Sequence, residues 1–157
     1  MQADFATVKA DVSKIQTSVA SLYQALKNTQ GTSYGQALAI DQASNALNSE
    51  INTANTDAQA VPSVTSAEAK ALLSILSKTY TNVSAASKRL IALEPAFKKL
   101  GVAGIAKSDV NKLASSTKTF GATLVSKAPS AQKSSASALA SKYNAALASA
   151  AAAYASS

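Results

Sequence analysis

The sequence predicts an all-α fold, an up-and-down bundle of about five amphipathic helices. Three observations carry that expectation. Apolar residues recur every three or four positions over five long segments, which places them on one face of a helix each. Turn residues separate the segments: Gly31 to Gly35, Val61-Pro62-Ser63, Gly101 with Gly104, and Pro129. No stretch shows the alternating pattern of a half-buried strand.

The first helix is expected from Ala3 to Asn28. Phe5, Val8, Val12, Ile15, Val19, Leu22 and Leu26 form the cleanest stripe in the chain. The second runs from Tyr34 to Gln59, with Ile40, Leu47, Ile51, Ala54 and Ala58 on its stripe and Ser44 in register. Thr65 opens the third. Thr65-Ser66-Ala67-Glu68 reads as a capping box, in which the threonine hydroxyl accepts from a free backbone N–H and Glu68 reaches back. Its stripe is Leu72, Leu73, Leu76, Tyr80, Val83, Ser87 and Leu90, and Pro95 is expected to end or kink it near Leu93. The fourth helix follows the two glycines and stops at Pro129, with Val102, Ala106, Val110, Leu113, Thr117, Phe120 and Leu124 in register. Pro129 or Ser130 opens the fifth helix; Pro129 suits a first helical position, where its missing N–H costs nothing. There Leu139, Tyr143, Leu147, Ala150 and Tyr154 share a face, and the last turns are almost pure alanine. The short connections make neighbouring helices antiparallel.

Composition narrows the chemistry. The 157 residues are expected to form one domain and contain neither cysteine nor histidine. Thiol nucleophiles, imidazole bases, disulfides and the usual zinc ligands are therefore excluded. The eight acids are scattered, with no two sharing a stripe position, and no phosphate loop, nucleophile elbow or metal cluster occurs. No catalytic residue, metal site or cofactor is expected. The net charge of +7 is uneven: residues 1–60 carry three lysines and five acids, the remainder twelve bases and three acids. The bases are dispersed at helical-turn spacing, as on a solvated surface, and the few aromatics lie mostly on core stripes. That argues against nucleic acid as a partner. No apolar run reaches the length of a membrane span. Asn82-Val83-Ser84 is a glycosylation triplet, but it falls inside an expected helix.

Alanine alone, and serine with threonine, each supply 36 residues. Helices so rich in small residues either pack close or enclose an apolar space, and periodicity alone favours the close-packed core. Ser44, Ser87, Thr117 and Tyr143 are the polar residues on apolar stripes. A buried hydroxyl needs a partner. For Ser and Thr the plain one is the carbonyl four residues back; the alternative is a ligand carboxylate. A tyrosine places its ring in the core and its hydroxyl at the edge.

Several segments resemble the fungal hydrophobic surface binding protein A family, which includes cell-wall galactomannoproteins of moulds. They are Tyr34 to Ile40 (YGQALAI), Leu47 to Asp57 (LNSEINTANTD), Phe97 to Ile105 (FKKLGVAGI), Leu124 to Pro129 (LVSKAP) and Ala152 to Ala155. They fall in order over roughly Asp4 to Ala155. The resemblance implies a secreted or cell-wall helical bundle without enzyme activity. It also implies, for the mannoprotein branch, a long-chain fatty acid such as palmitic, oleic or arachidonic acid held in a hydrophobic space between helices. Other members adsorb to hydrophobic surfaces and recruit lipolytic enzymes, which is the alternative function. Mature members often carry two such domains or a Ser/Thr-rich tail; residues 1–157 read as a single lipid-binding unit, expected to be monomeric.

The resemblance shifts the expectation from a close-packed core to a ligand cavity, yet it carries no carboxylate-binding signature onto this sequence. The site residues are therefore chosen by stripe position. Ser44 and Thr117, then Ser87 and Tyr143, are the carboxylate candidates. Ile15, Val19, Leu22, Leu47, Ile51, Leu72, Leu76, Leu113, Phe120 and Leu147 are the acyl-chain candidates. A structural spacer with a dry core is the third reading.

Overall fold

The computed structural model describes residues 4–157. Over them the chain forms five α-helices: α1 (Phe5–Asn28), α2 (Tyr34–Ala60), α3 (Ser66–Leu100), α4 (Ala103–Lys127) and α5 (Ser130–Ala153). The expected start at Ala3 lies outside the described residues. Local chemistry fixes most helix ends. The Asp4 carboxylate accepts from the Thr7 backbone N–H at 2.9 Å and caps α1, and Ser33 caps α2 through the Gln36 N–H. The capping box of α3 is complete: the Glu68 N–H donates to Thr65 Oγ1 at 3.1 Å, and the Thr65 N–H donates to Glu68 Oε1 at 3.0 Å. Of the two expected starts of α5, Ser130 is the observed one, and Pro129 precedes it as the cap.

Of the two outcomes expected of Pro95, it does not end α3; the helix runs on to Leu100. Pro95 is exposed, and the carbonyl it deprives of a donor belongs to Ile91, also exposed, where water can replace it. Leu93 and Phe97, buried on either side, anchor the last turns. The end is set instead by Gly101 at φ 86°, open to glycine at no steric cost. Its N–H donates to the Lys98 carbonyl while the Val102 N–H donates to that of Phe97, a Schellman turn.

Successive helices run antiparallel, but they do not pack in chain order. The helices close a ring in the order α1, α2, α4, α5, α3. Only α1/α2 and α4/α5 are antiparallel neighbours. Short loops fix the sense of each helix relative to the last; they do not choose its partners. In the parallel α2/α4 seam, Ser116 donates to Asn48 Oδ1 at 2.5 Å, Thr123 to Asn55 Oδ1 at 2.6 Å, and Lys127 to the Val61 carbonyl at 2.7 Å. Asp41 and Asp109 meet one heptad earlier. The parallel α3/α5 seam is pinned by hydroxyls: Tyr143 donates to the Leu76 carbonyl, Tyr154 to that of Leu90, and Ser157 to the Glu94 carboxylate. Arg89 of α3 donates to the Leu26 and Thr29 carbonyls, satisfying acceptors that α1 leaves free at its C-terminus.

The stripes meet at the bundle axis. One end is solid, filled by Leu26, Leu93, Phe97, Val110 and Tyr154, all buried. Toward the middle the filling thins.

Candidate functional site

An apolar cavity runs along the axis and takes its wall from all five helices. Ile15, Val19 and Leu22 of α1 face Leu47 and Ile51 of α2; Leu113, Phe120 and Leu124 come from α4 and Leu139 and Leu147 from α5. The α3 wall extends from Leu73 to Leu90, about 25 Å at the rise of an α-helix. No charged side chain lines it; Ser87, Thr117 and Tyr143 supply its hydroxyls.

Nine of the ten chosen apolar residues stand on this wall. Leu72 does not: it is buried elsewhere, and Leu73, one residue round the helix, takes the wall position. Ser44 is buried but off the wall as well, because α2 enters the cavity only from Leu47, one turn further on. Thr117, Ser87 and Tyr143 are brought together on one surface.

The three hydroxyls are not equivalent. Tyr143 donates to the Leu76 carbonyl at 2.5 Å, and its ring tilts against Tyr80 with centroids 5.3 Å apart. Burial, and then Tyr80, push the Tyr143 phenol well above its ordinary range, so it stays protonated. Among the described residues neither Ser87 nor Thr117 has a protein partner for its side-chain hydroxyl, whereas the buried Thr79 closes on the Ile75 carbonyl at 2.8 Å. The bond to the i−4 carbonyl thus forms at Thr79 and not at the two wall residues.

Small residues complete the wall where large stripe residues give no sign of it: Ala86, Gly121, Ala136 and Ala140. A Cβ on Gly121 would come within 3.2 Å of the Ala140 Cβ, so α4 and α5 touch through almost nothing but backbone there. The free volume is about 100 Å³. That is below the roughly 150 Å³ of an apolar cavity that stays dry and takes up benzene, and below the expected roughly 300–1,000 Å³ of a small-molecule pocket. A long acyl chain needs the wall to give.

Two carboxyl pairs flank α2 outside the cavity. Burial, the hydrogen bond with Asp57 and its charge push the Asp11 carboxyl up to about 6. The same causes, with Asp41 as partner, push Asp109 up to about 7, against the pull of Lys112. Sequence reasoning missed both pairs because their members lie on different helices. Among the described residues no three metal-binding side chains gather, and no helix is long and apolar enough to cross a membrane.

A ring of five helices around an apolar axial cavity, with neutral hydroxyls on its wall, is the architecture of a ligand-binding helical bundle. The chain belongs to the hydrophobic surface binding protein A family, whose model matches residues 5–126. Its structure is similar to that of Afmp4p in complex with palmitic acid, with a TM-score of 0.90 and 27% sequence identity over 96% of this chain and 99% of that one. It shares its fold with ligand binding domain 1 of the Penicillium marneffei MP1 protein complexed with arachidonic acids, at a TM-score of 0.87 and 18% identity over 93% and 95% of the two chains. Domain 2 of the same protein, complexed with multiple arachidonic acids, gives 0.86 and 17% over 98% and 95%. No curated protein sequence matches the chain.

Proposed function

We propose that the protein binds a long-chain fatty acid without catalysis, acting outside the cell as a secreted or wall-attached mannoprotein. The acyl chain lies along the axial cavity, and its carboxylate meets Thr117 or Ser87. The observation that carries this reading is the cavity wall, apolar from end to end apart from three neutral hydroxyls, two of them without a protein partner. A neutral hydroxyl donates a charge-assisted hydrogen bond to a carboxylate without itself being a buried charge. Tyr143 is the weaker candidate because its proton is already given to the Leu76 carbonyl. Ser44 drops out by position. The palmitic acid complex of Afmp4p supports the choice of ligand class. Burial of the acyl chain offsets the cost of parting the helices.

Native mass spectrometry with palmitate, oleate or arachidonate in excess tests the reading. One added fatty-acid mass, lost on denaturation and weakened by Thr117→Val or Ser87→Ala, is expected. A polypeptide that stays bare overturns it. It would leave the second reading, adsorption of opened helices to an apolar surface, which the thin, alanine-rich α5 favours.

A further inference from the structure

Three of the four exposed large apolar side chains among the described residues gather at one end of the bundle. They are Tyr34 at 60% exposure, Leu38 at 48% and Ile105 at 44%. They stand round a shallow groove between the first turns of α2 and α4, with Phe97, Val102 and Ala106 beneath. The groove has only about 30 Å³ of free volume, about one water's share of liquid. It cannot take an acyl chain of its own; what it offers is a surface.

Cations share this end of the bundle. Lys98 and Lys99 are exposed in the last turn of α3 beside Phe97, and Lys27 is exposed in the last turn of α1 at the same end. Lys107 follows Ile105, its ammonium on the Ala155 carbonyl at 2.9 Å. The acids nearby are turned inward or engaged. Asp109 is buried beside Asp41 in the groove, and Glu94 accepts from Ser157.

We propose that this end of the bundle docks on anionic lipid bilayers. Tyr34, Leu38 and Ile105 enter the headgroup region, and Lys27, Lys98 and Lys99 meet lipid phosphates. A tyrosine with its ring in the acyl boundary and its hydroxyl among headgroups is the usual interfacial anchor. The apolar trio alone would fit any oily surface. The lysines select an anionic one, since each lysine close to such a membrane strengthens binding about fivefold. The proposal does not depend on what the axial cavity holds.

Co-sedimentation of the whole chain with phosphatidylcholine vesicles, plain or mixed with phosphatidylglycerol, tests it. Binding to the anionic vesicles, weakened by salt and far above that to neutral ones, is expected. Lys98→Glu with Lys99→Glu lowers it about twentyfold or more. Lys70→Glu with Lys142→Glu, the same charge change on other faces, lowers it far less. Tyr34→Trp places the chain's sole tryptophan at the groove; its emission shifts to the blue on anionic vesicles and is quenched by brominated lipid. Far-UV circular dichroism confirms that each variant folds. Failure to bind anionic vesicles overturns the proposal. So does equal binding to neutral vesicles, which would be general apolar adsorption. Equal loss in the two lysine pairs, or unshifted Tyr34→Trp emission on bound protein, would place the docking face elsewhere.

Discussion

The two sides of the bundle are held together differently. On the α2 side, polar side chains meet at heptad spacing: Asp41 with Asp109, Asn48 with Ser116, Asn55 with Thr123. Each pair specifies one register and leaves a polar group stranded if the seam slips. On the α5 side, Gly121 stands against Ala140, Lys133 donates to the Val125 and Ser126 carbonyls at the end of α4, and two tyrosine hydroxyls and a serine reach groups of α3. The α2 side is keyed by paired side chains, while the α5 side meets α4 through a glycine and an alanine near the cavity and α3 mainly through hydroxyls on backbone carbonyls. The cavity has to widen for a long chain, and on this difference the movement is expected at α5.

The largest effect should come from filling the cavity. Val83 is half-buried on the wall, and Val83→Trp is expected to weaken fatty-acid loading at least about tenfold, or ~1.4 kcal/mol, with helix content kept. Loading at the wild-type level in native mass spectrometry would show that the ligand lies elsewhere.

The α2 side should answer to pH. The folded state holds protons on Asp109 and Asp11 more tightly than an unfolded carboxyl does. Their contribution to stability is therefore fully present below about pH 4, the unfolded range, and is lost as the pH rises through about 7 and about 6 respectively. Asp109→Asn is expected to raise the melting temperature by several degrees at neutral pH, with little change in acid. A melting curve equally displaced at both ends of the pH range would separate the pair from that role.

Thr123→Val, which strands the Asn55 side chain, should cost about 1–3 kcal/mol in denaturant unfolding and leave loading at equilibrium unchanged. Tyr143→Phe should cost least, about 0.5–1.5 kcal/mol, because the Leu76 carbonyl keeps its helical bond. It should also speed fatty-acid uptake in stopped-flow measurements. Faster uptake in Thr123→Val than in Tyr143→Phe would reverse the assignment of the moving wall.

The helices were legible because a 3.6-residue period is local: Val12, Ile15, Val19, Leu22 and Leu26 announce a face without knowledge of its partner. The order of the ring was not, since nothing in Asn48 or Asn55 says that Ser116 and Thr123 will lie beside them. The cavity was half legible. Stripe residues such as Leu113 and Phe120 point to the axis whatever the packing, but the space depends on Ala86, Gly121, Ala136 and Ala140, whose small size looks the same on a solvent face. Ser44 and Leu72 mark the limit of the stripe argument, which tells inward from outward but not where along the axis the filling stops. Pro95 does not end α3 because a break needs more than a missing N–H; the buried side chains on both sides of it outweigh that one bond.

The ring order also bears on how fast the chain folds. The α1–α2 and α4–α5 hairpins close over short loops and can form early. The other three seams join distant residues: Arg89 reaches Thr29 across 60 positions, and Ser116 reaches Asn48 across 68. Loop-closure entropy must be overcome before those contacts contribute. The bundle should fold more slowly than an all-helical protein whose neighbours in space are neighbours in sequence, and α3, which belongs to neither hairpin, is the element whose docking completes the fold.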